Sequence, residues 1–172
     1  MRIILLICGS ALLGWSALGF WQRNNPERLK FKGNIATATT SAELLPIRLE
    51  IEKQNIDLTV IPARVTKNNW ETTDRGVSYL VGSGIVGGIG NAVFYGHNWK
   101  SLLGNLSKIK PGDSIKVGLN NSQVENFIVE YTSIIDPTQT HILYPSNDRR
   151  ITIYTCAGLF DSKRFVAVAL KK

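Results

Sequence analysis

Cysteine and histidine are scarce in this 172-residue chain: Cys8, Cys156, His97 and His141 are all it has of either. Cys8 lies inside an apolar N-terminal run, so the rest of the chain holds one thiol and cannot close an internal disulfide. There is no low-complexity tract and no internal repeat, which argues against a disordered or solenoid protein. There is also no basic stripe. Although the formal charge is +7, Arg64, Lys67, Arg75, Lys100, Lys108, Lys110 and Lys116 are scattered, without interleaved aromatics. That pattern argues against a nucleic-acid groove and suits a domain working beside an anionic envelope surface.

What the chain does have is one long uncharged run, Ile3 to Trp21. As a helix rising about 1.5 Å per residue it reaches about 28 Å, the thickness of a bilayer's hydrocarbon core. No small-x-small cleavage signal ends it, and Trp21 is a residue type favoured at membrane interfaces. Residues 1–22 are therefore expected to be an uncleaved signal-anchor helix, with a cleaved signal peptide as the second reading. A lipobox at Cys8 is poor, because Ile7 is not small. One feature opposes simple export: Arg23, Arg28, Lys30 and Lys32 follow the run, whereas only Arg2 precedes it. Read alone, the positive-inside rule places the following domain in the cytoplasm. The catalytic reading below requires it outside.

Residues 23–45 are polar and lack periodicity, which reads as a flexible tether. From Pro46 onward, short segments rich in Val, Ile, Phe and Tyr follow at close intervals: residues 47–51, 56–61, 77–81, 92–95, 114–119, 124–131, 151–155 and 165–170. Turn-forming residues separate them, as in Pro111-Gly112-Asp113 and Asn120-Asn121. Only residues 100–109 suggest a short helix. The expected fold of residues 46–172 is all-β, a sandwich or closed barrel of about eight strands.

The lone thiol in this part is either inert packing or a working group, and free cysteine is often buried. Cys156 ends a strand, is followed by Ala157-Gly158, and has Arg164 eight positions on at the start of the next strand. Two neighbouring strands joined by such a loop would bring a cation to the thiol, which is what lowers a thiol's pKa. Two histidines could serve as its base. His97 follows a strand through Gly96, and His141 sits in a loop without apolar periodicity; local pattern favours His97 only modestly.

Four segments, in order, resemble one family. Ile151-Thr152-Ile153-Tyr154-Thr155-Cys156 is similar to the sortase signature T-L-x-T-C. Gly90-Asn91-Ala92-Val93-Phe94-Tyr95-Gly96-His97 resembles its G-N-x-V-x-x-G-H segment, Leu103 to Ile115 its F-x-x-L…GD-x-I stretch, and Lys163-Arg164-Phe165-Val166 the start of its last strand. The resemblance covers about Pro46 to Leu170. It implies a single eight-stranded β-barrel with one or two short helices, carrying His after the fourth strand, Cys at the end of the seventh and Arg at the start of the eighth. On this sequence those positions are His97, Cys156 and Arg164. The implied activity is cysteine transpeptidation. A thiolate cleaves a short C-terminal sorting motif (LPxTG- or LAxTG-like) of a surface protein, and the acyl group passes to an amine from a cell-wall precursor or another protein. The implied localisation is the cell membrane, single-pass, with an extracytoplasmic domain.

No cofactor is implied. Some relatives bind calcium through clustered acidic loops, but Asp136, Asp148 and Asp161 are dispersed, so no metal is expected. Trp99 and Trp70 could each wall the site or pack, and Leu159 and Phe160 could line a groove or pack inward. Rival readings are a cysteine endopeptidase that only hydrolyses and a non-catalytic β-barrel surface module. An L,D-transpeptidase is disfavoured, because His97 and Cys156 are far apart in sequence.

Overall fold

The computed structural model describes residues 2–23, 25–32, 44–66 and 69–172. Helix α1 spans Arg2–Arg23, where the sequence places its apolar run. Among the described residues no helix is long and apolar enough to cross a membrane.

The barrel grows largely from antiparallel neighbours. β1 (Pro46–Ile51) turns through Asn55, in the left-handed conformation that Asn tolerates well, into β2 (Ile56–Ala63). A two-stranded ribbon follows, β3 (Val65–Thr66) and β4 (Asn69–Trp70), too short to show periodicity in sequence. Then come β5 (Val77–Leu80), β6 (Gly90–Gly96), β7 (Ser114–Leu119), β8 (Val124–Ile135), β9 (Arg149–Ala157) and β10 (Lys163–Lys171). Eight of these close into a barrel in the order β1-β2-β5-β6-β9-β10-β8-β7. The helix expected at residues 100–109 is a 3-10 segment, Leu103–Lys108.

β6 and β9 occupy the middle of this order, and they pair in parallel. Their residues are buried on both faces, as the unbroken apolar runs require. Ala92, Phe94, Ile151 and Ile153 point into the barrel interior with Leu49, Ile115 and Phe127. The alternate set, Val93, Tyr95, Tyr154 and Cys156, faces outward into a second apolar cluster. Trp70 belongs there, 5 % exposed and edge-on to Tyr95 and Tyr154, so it packs.

The lid of that second cluster comes from residues read in sequence as tether. Pro26–Leu29 forms a 3-10 turn capped by the Asn25 side chain, and Leu29 and Phe31 are buried against the outer face of β9. Burying two such side chains is worth about 1.5–3 kcal/mol each. They stand singly among charged neighbours, so no periodicity betrays them. The rest of the expected tether, residues 33–43, lies outside the described residues.

Candidate active site

Strand pairing brings the three sequence-predicted residues to one end of the barrel. In the β9–β10 ladder Arg164 is the direct partner of Cys156, and directly opposed residues point to the same face of a sheet. On the other side of β9, Gly96 of β6 is level with Thr155, so His97 leaves β6 beside Cys156. The Thr155 hydroxyl donates to the Gly96 carbonyl at 2.7 Å, tying the two strands together at this point. His141 is exposed in the 3-10 segment Thr140–Leu143. That segment is held by the Asn91 amide, which donates to the carbonyls of Ile142 and Tyr144 at the opposite end of β6 from His97.

His97 is fixed by the chain after it. Its carbonyl accepts from the Leu103 N–H at 3.1 Å, and the Trp99 carbonyl accepts from Gly104 at 2.8 Å. The imidazole stacks on Trp99, with centroids 4.5 Å apart and planes 11° from parallel. Trp99 therefore braces the histidine. Gly104 is required by this close approach, since a Cβ there would lie 2.7 Å from the Trp99 backbone and 2.8 Å from the Asn98 carbonyl. His97 is 7 % exposed, and burial lowers its pKa below the ordinary value; Asp161 and Asp74 oppose that shift.

Arg164 is 3 % exposed. Its Nη1 donates to the carbonyls of Asp161 and Lys163, its Nη2 to that of Lys30 at 2.7 Å, and its Nε has no partner. The connecting loop is strained. Gly158, Phe160 and Asp161 all have positive φ, and two of them are not glycine, a conformation costing roughly 1–2 kcal/mol per residue. Leu159 and Phe160 are exposed on its outside rather than packed. The Asp161 carboxylate turns back to accept from the Asn98 side chain at 3.2 Å, joining this loop to the histidine segment.

Cys156 is 6 % exposed, and its Sγ–H donates to the Arg28 carbonyl at 3.2 Å. Burial pushes the thiol up to about 12, against the opposing pull of Arg164. Beside it opens a cleft of about 850 Å³, lined by Lys30, Lys32, Asp136, Pro137, Thr138 and Arg164. Glu27, Arg28, Lys30, Phe31 and Lys32, which form one wall, carry no sequence signal of site membership. Among the described residues no group of three His, Cys, Asp or Glu side chains could hold a metal ion. A thiol, an imidazole and a guanidinium at one strand end are the elements of nucleophilic acyl transfer.

Comparison with known proteins agrees in fold and in sequence. The chain is 36 % identical over 88 residues to sortase A of Listeria monocytogenes, a stretch that makes up 47 % of this chain and 38 % of that relative. The chain thus spans well under two thirds of that relative's length. Among solved structures, a lid mutant of sortase A from Corynebacterium diphtheriae superposes with a TM-score of 0.61 at 23 % identity, covering 77 % of this chain and 73 % of that one. Streptococcus agalactiae sortase C1 in complex with MTSET gives 0.64 at 18 % identity, covering 91 % and 86 %. These likenesses establish a shared barrel. Residues 49–172 match the Sortase domain family, and the chain belongs to it.

Proposed function

We propose that the protein is a cysteine transpeptidase. Cys156 is the nucleophile, His97 the acid and base, and Arg164 the group that stabilises the oxyanion. The observation that carries this reading is the register itself, with Arg164 opposite Cys156 and His97 delivered by the strand on the other side. The thiolate attacks the carbonyl of a residue in a sorting-motif peptide, and charge develops on the carbonyl oxygen. Arg164 supplies donors there; its unpartnered Nε is already free to do so. His97 takes the proton of the Cys156 thiol as the thiolate forms and gives it to the departing amine as the thioester is made. It then takes one from the incoming amine as the thioester is resolved.

Lowering the histidine's pKa suits this second step, because a neutral imidazole is needed to accept a proton. The acyl donor is the sorting signal of a surface protein, and the acceptor is an amine from a cell-wall precursor or another protein. On this reading the uncharged stretch Ile3 to Trp21 within α1 is the membrane anchor, a reading supported by the sequence, since no described helix meets the length and hydropathy of a membrane span. It leaves Leu12, Leu13, Trp15, Phe20 and Trp21 exposed, and the sequence has no charge from Ile3 to Trp21. The catalytic domain then lies outside the cytoplasm.

Mass spectrometry of the products from LPxTG and LAxTG peptides, with and without an added amine, tests the proposal. Amine-ligated product is expected. Exclusive hydrolysis at high amine concentration would replace the transferase by an endopeptidase, and an intact peptide with an unreactive thiol would leave a non-catalytic module.

A further inference from the structure

The loop between β9 and β10 points two large apolar side chains away from the barrel. Leu159 is 77 % exposed and Phe160 60 %. The backbone fixes them there. Phe160 has φ +54° and Asp161 φ +59°, a conformation that a bulky aromatic rarely adopts. Local bonds hold it. The N–H groups of Asp161 and Ser162 donate to the carbonyls of Gly158 and Leu159, Arg28 donates to the Phe160 carbonyl, and the Asp161 carboxylate accepts from Asn98. Apolar surface presented outward at the cost of strain marks a contact with something apolar.

Helix α1 lies across from Phe160. Trp15, Leu18 and Gly19 line, with Phe160, a crevice of about 190 Å³. The two elements do not fill it: Trp15 and Leu18 stay exposed, and a Cβ added at Gly19 would meet nothing within 4 Å. These residues belong to the uncharged run that ends at Trp21. At about 1.5 Å per residue, Leu18 lies about 4.5 Å and Trp15 about 9 Å inward from Trp21 along the helix. Interfacial apolar elements sit about 5–10 Å into the boundary between headgroups and acyl chains. Phe160 is level with the part of α1 at that depth.

We propose that Leu159 and Phe160 form a second membrane contact, entering the acyl boundary of the same bilayer that holds α1. The inference rests on the reading of Ile3 to Trp21 as the anchor. Lipid is the occupant of the crevice because one of its walls is that run. The rim is basic but largely neutralised, with Arg28 3.9 Å from the Asp161 carboxylate and Lys163 bonded to Asp136 at 2.7 Å. Insertion of the apolar tip, rather than attraction to headgroup charge, therefore carries the contact. Because this loop joins Cys156 to Arg164, its seating turns the thiol end of the barrel toward the membrane surface, and a peptide approaches Cys156 along the headgroup layer.

The test is electron paramagnetic resonance on the full-length chain in vesicles of phosphatidylglycerol and phosphatidylcholine in equal parts. Cys8→Ser and Cys156→Ala remove the native thiols. A nitroxide is then attached at one of three exposed positions, through Ser162→Cys beside the tip, Leu12→Cys in α1 or Asn121→Cys in the turn between β7 and β8. Its collisions with oxygen, which concentrates in lipid, are compared with those of a nickel chelate, which stays in water. The oxygen-to-nickel ratio at position 162 is expected to exceed that at 121 by about fivefold or more. Leu159→Ser combined with Phe160→Ser should return it to the value at 121. Both side chains are exposed, so the core survives their loss, and thermal unfolding checks this.

Equal ratios at 162 and 121, with a high ratio at 12, would overturn the contact and keep the anchor. A low ratio at 12 would overturn the anchor reading and the contact with it. Few collisions with either reagent at 162 would report a protein neighbour, such as a second copy of the chain, and overturn the lipid contact. So would a high ratio at 162 that the double substitution leaves unchanged.

Discussion

Arg164 faces Cys156 across the β9–β10 ladder as its direct backbone partner, so the spacing between cation and thiol is set by sheet geometry rather than by loop conformation. The guanidinium fork matters as much as its charge, since it holds three carbonyls and keeps Nε free. Arg164→Lys is expected to lower kcat/KM for a sorting-motif peptide by about 10²–10³-fold, because an ammonium cannot reproduce a planar fork. Steady-state kinetics decide this. A loss below tenfold would reduce Arg164 to a point charge.

His97 should titrate below the ordinary histidine value of 6.5 when followed by its ring-proton NMR signal. Burial is the leading cause, and Asp161 pulls the other way, so Asp161→Asn is expected to move the midpoint further down. The folded state then resists protonation more than the unfolded chain does, and this group's contribution to stability is lost as pH falls below 6.5. A midpoint at or above 6.5 would contradict the buried setting.

For Cys156 the sign is reversed. Its thiol keeps its proton to about pH 12 in the folded chain but loses it near 9 when unfolded. Between those values the unfolded state binds fewer protons, so stability should fall as pH rises above 9. Urea unfolding at pH 8 and pH 10 measures the effect, and Cys156→Ala should abolish that part of the slope. An unchanged slope in the variant would assign it to other groups.

Gly104 offers a way to disturb the histidine without touching it. Gly104→Ala pushes a methyl into the backbone of Asn98 and Trp99. The His97–Trp99 stack should shift, and kcat should fall by about tenfold or more while the barrel still melts cooperatively. Retained kcat would mean that the 97–99 segment adapts without consequence for the imidazole.

Legibility in the sequence followed the range of each interaction. The barrel strands are readable because burial on one or both faces leaves alternating or continuous runs of Val, Ile, Phe and Tyr, punctuated by Gly, Pro and Asn. Cys156 and Arg164 meet through a hairpin, so eight positions of sequence were enough to suggest their proximity. His97 reaches them through a parallel pairing between strands some sixty residues apart, which no local pattern encodes; the resemblance to a family carried that choice over His141. The segment of residues 26–32 packed on β9 was not legible. Leu29 and Phe31 alternate with Arg28, Lys30 and Lys32 over too few residues to be told from a solvated segment, and their burial depends on a groove built far downstream.

That parallel pairing has a kinetic consequence. Two parallel neighbours cannot be joined by a tight turn, and between β6 and β9 the chain must first lay down β7 and β8. Imidazole and thiol therefore come together only late, once the long-range contacts that close the barrel are made. A nascent or partly folded chain therefore carries Cys156 and His97 apart. Assembly order thereby leaves the meeting of thiol and imidazole to the last stage of folding.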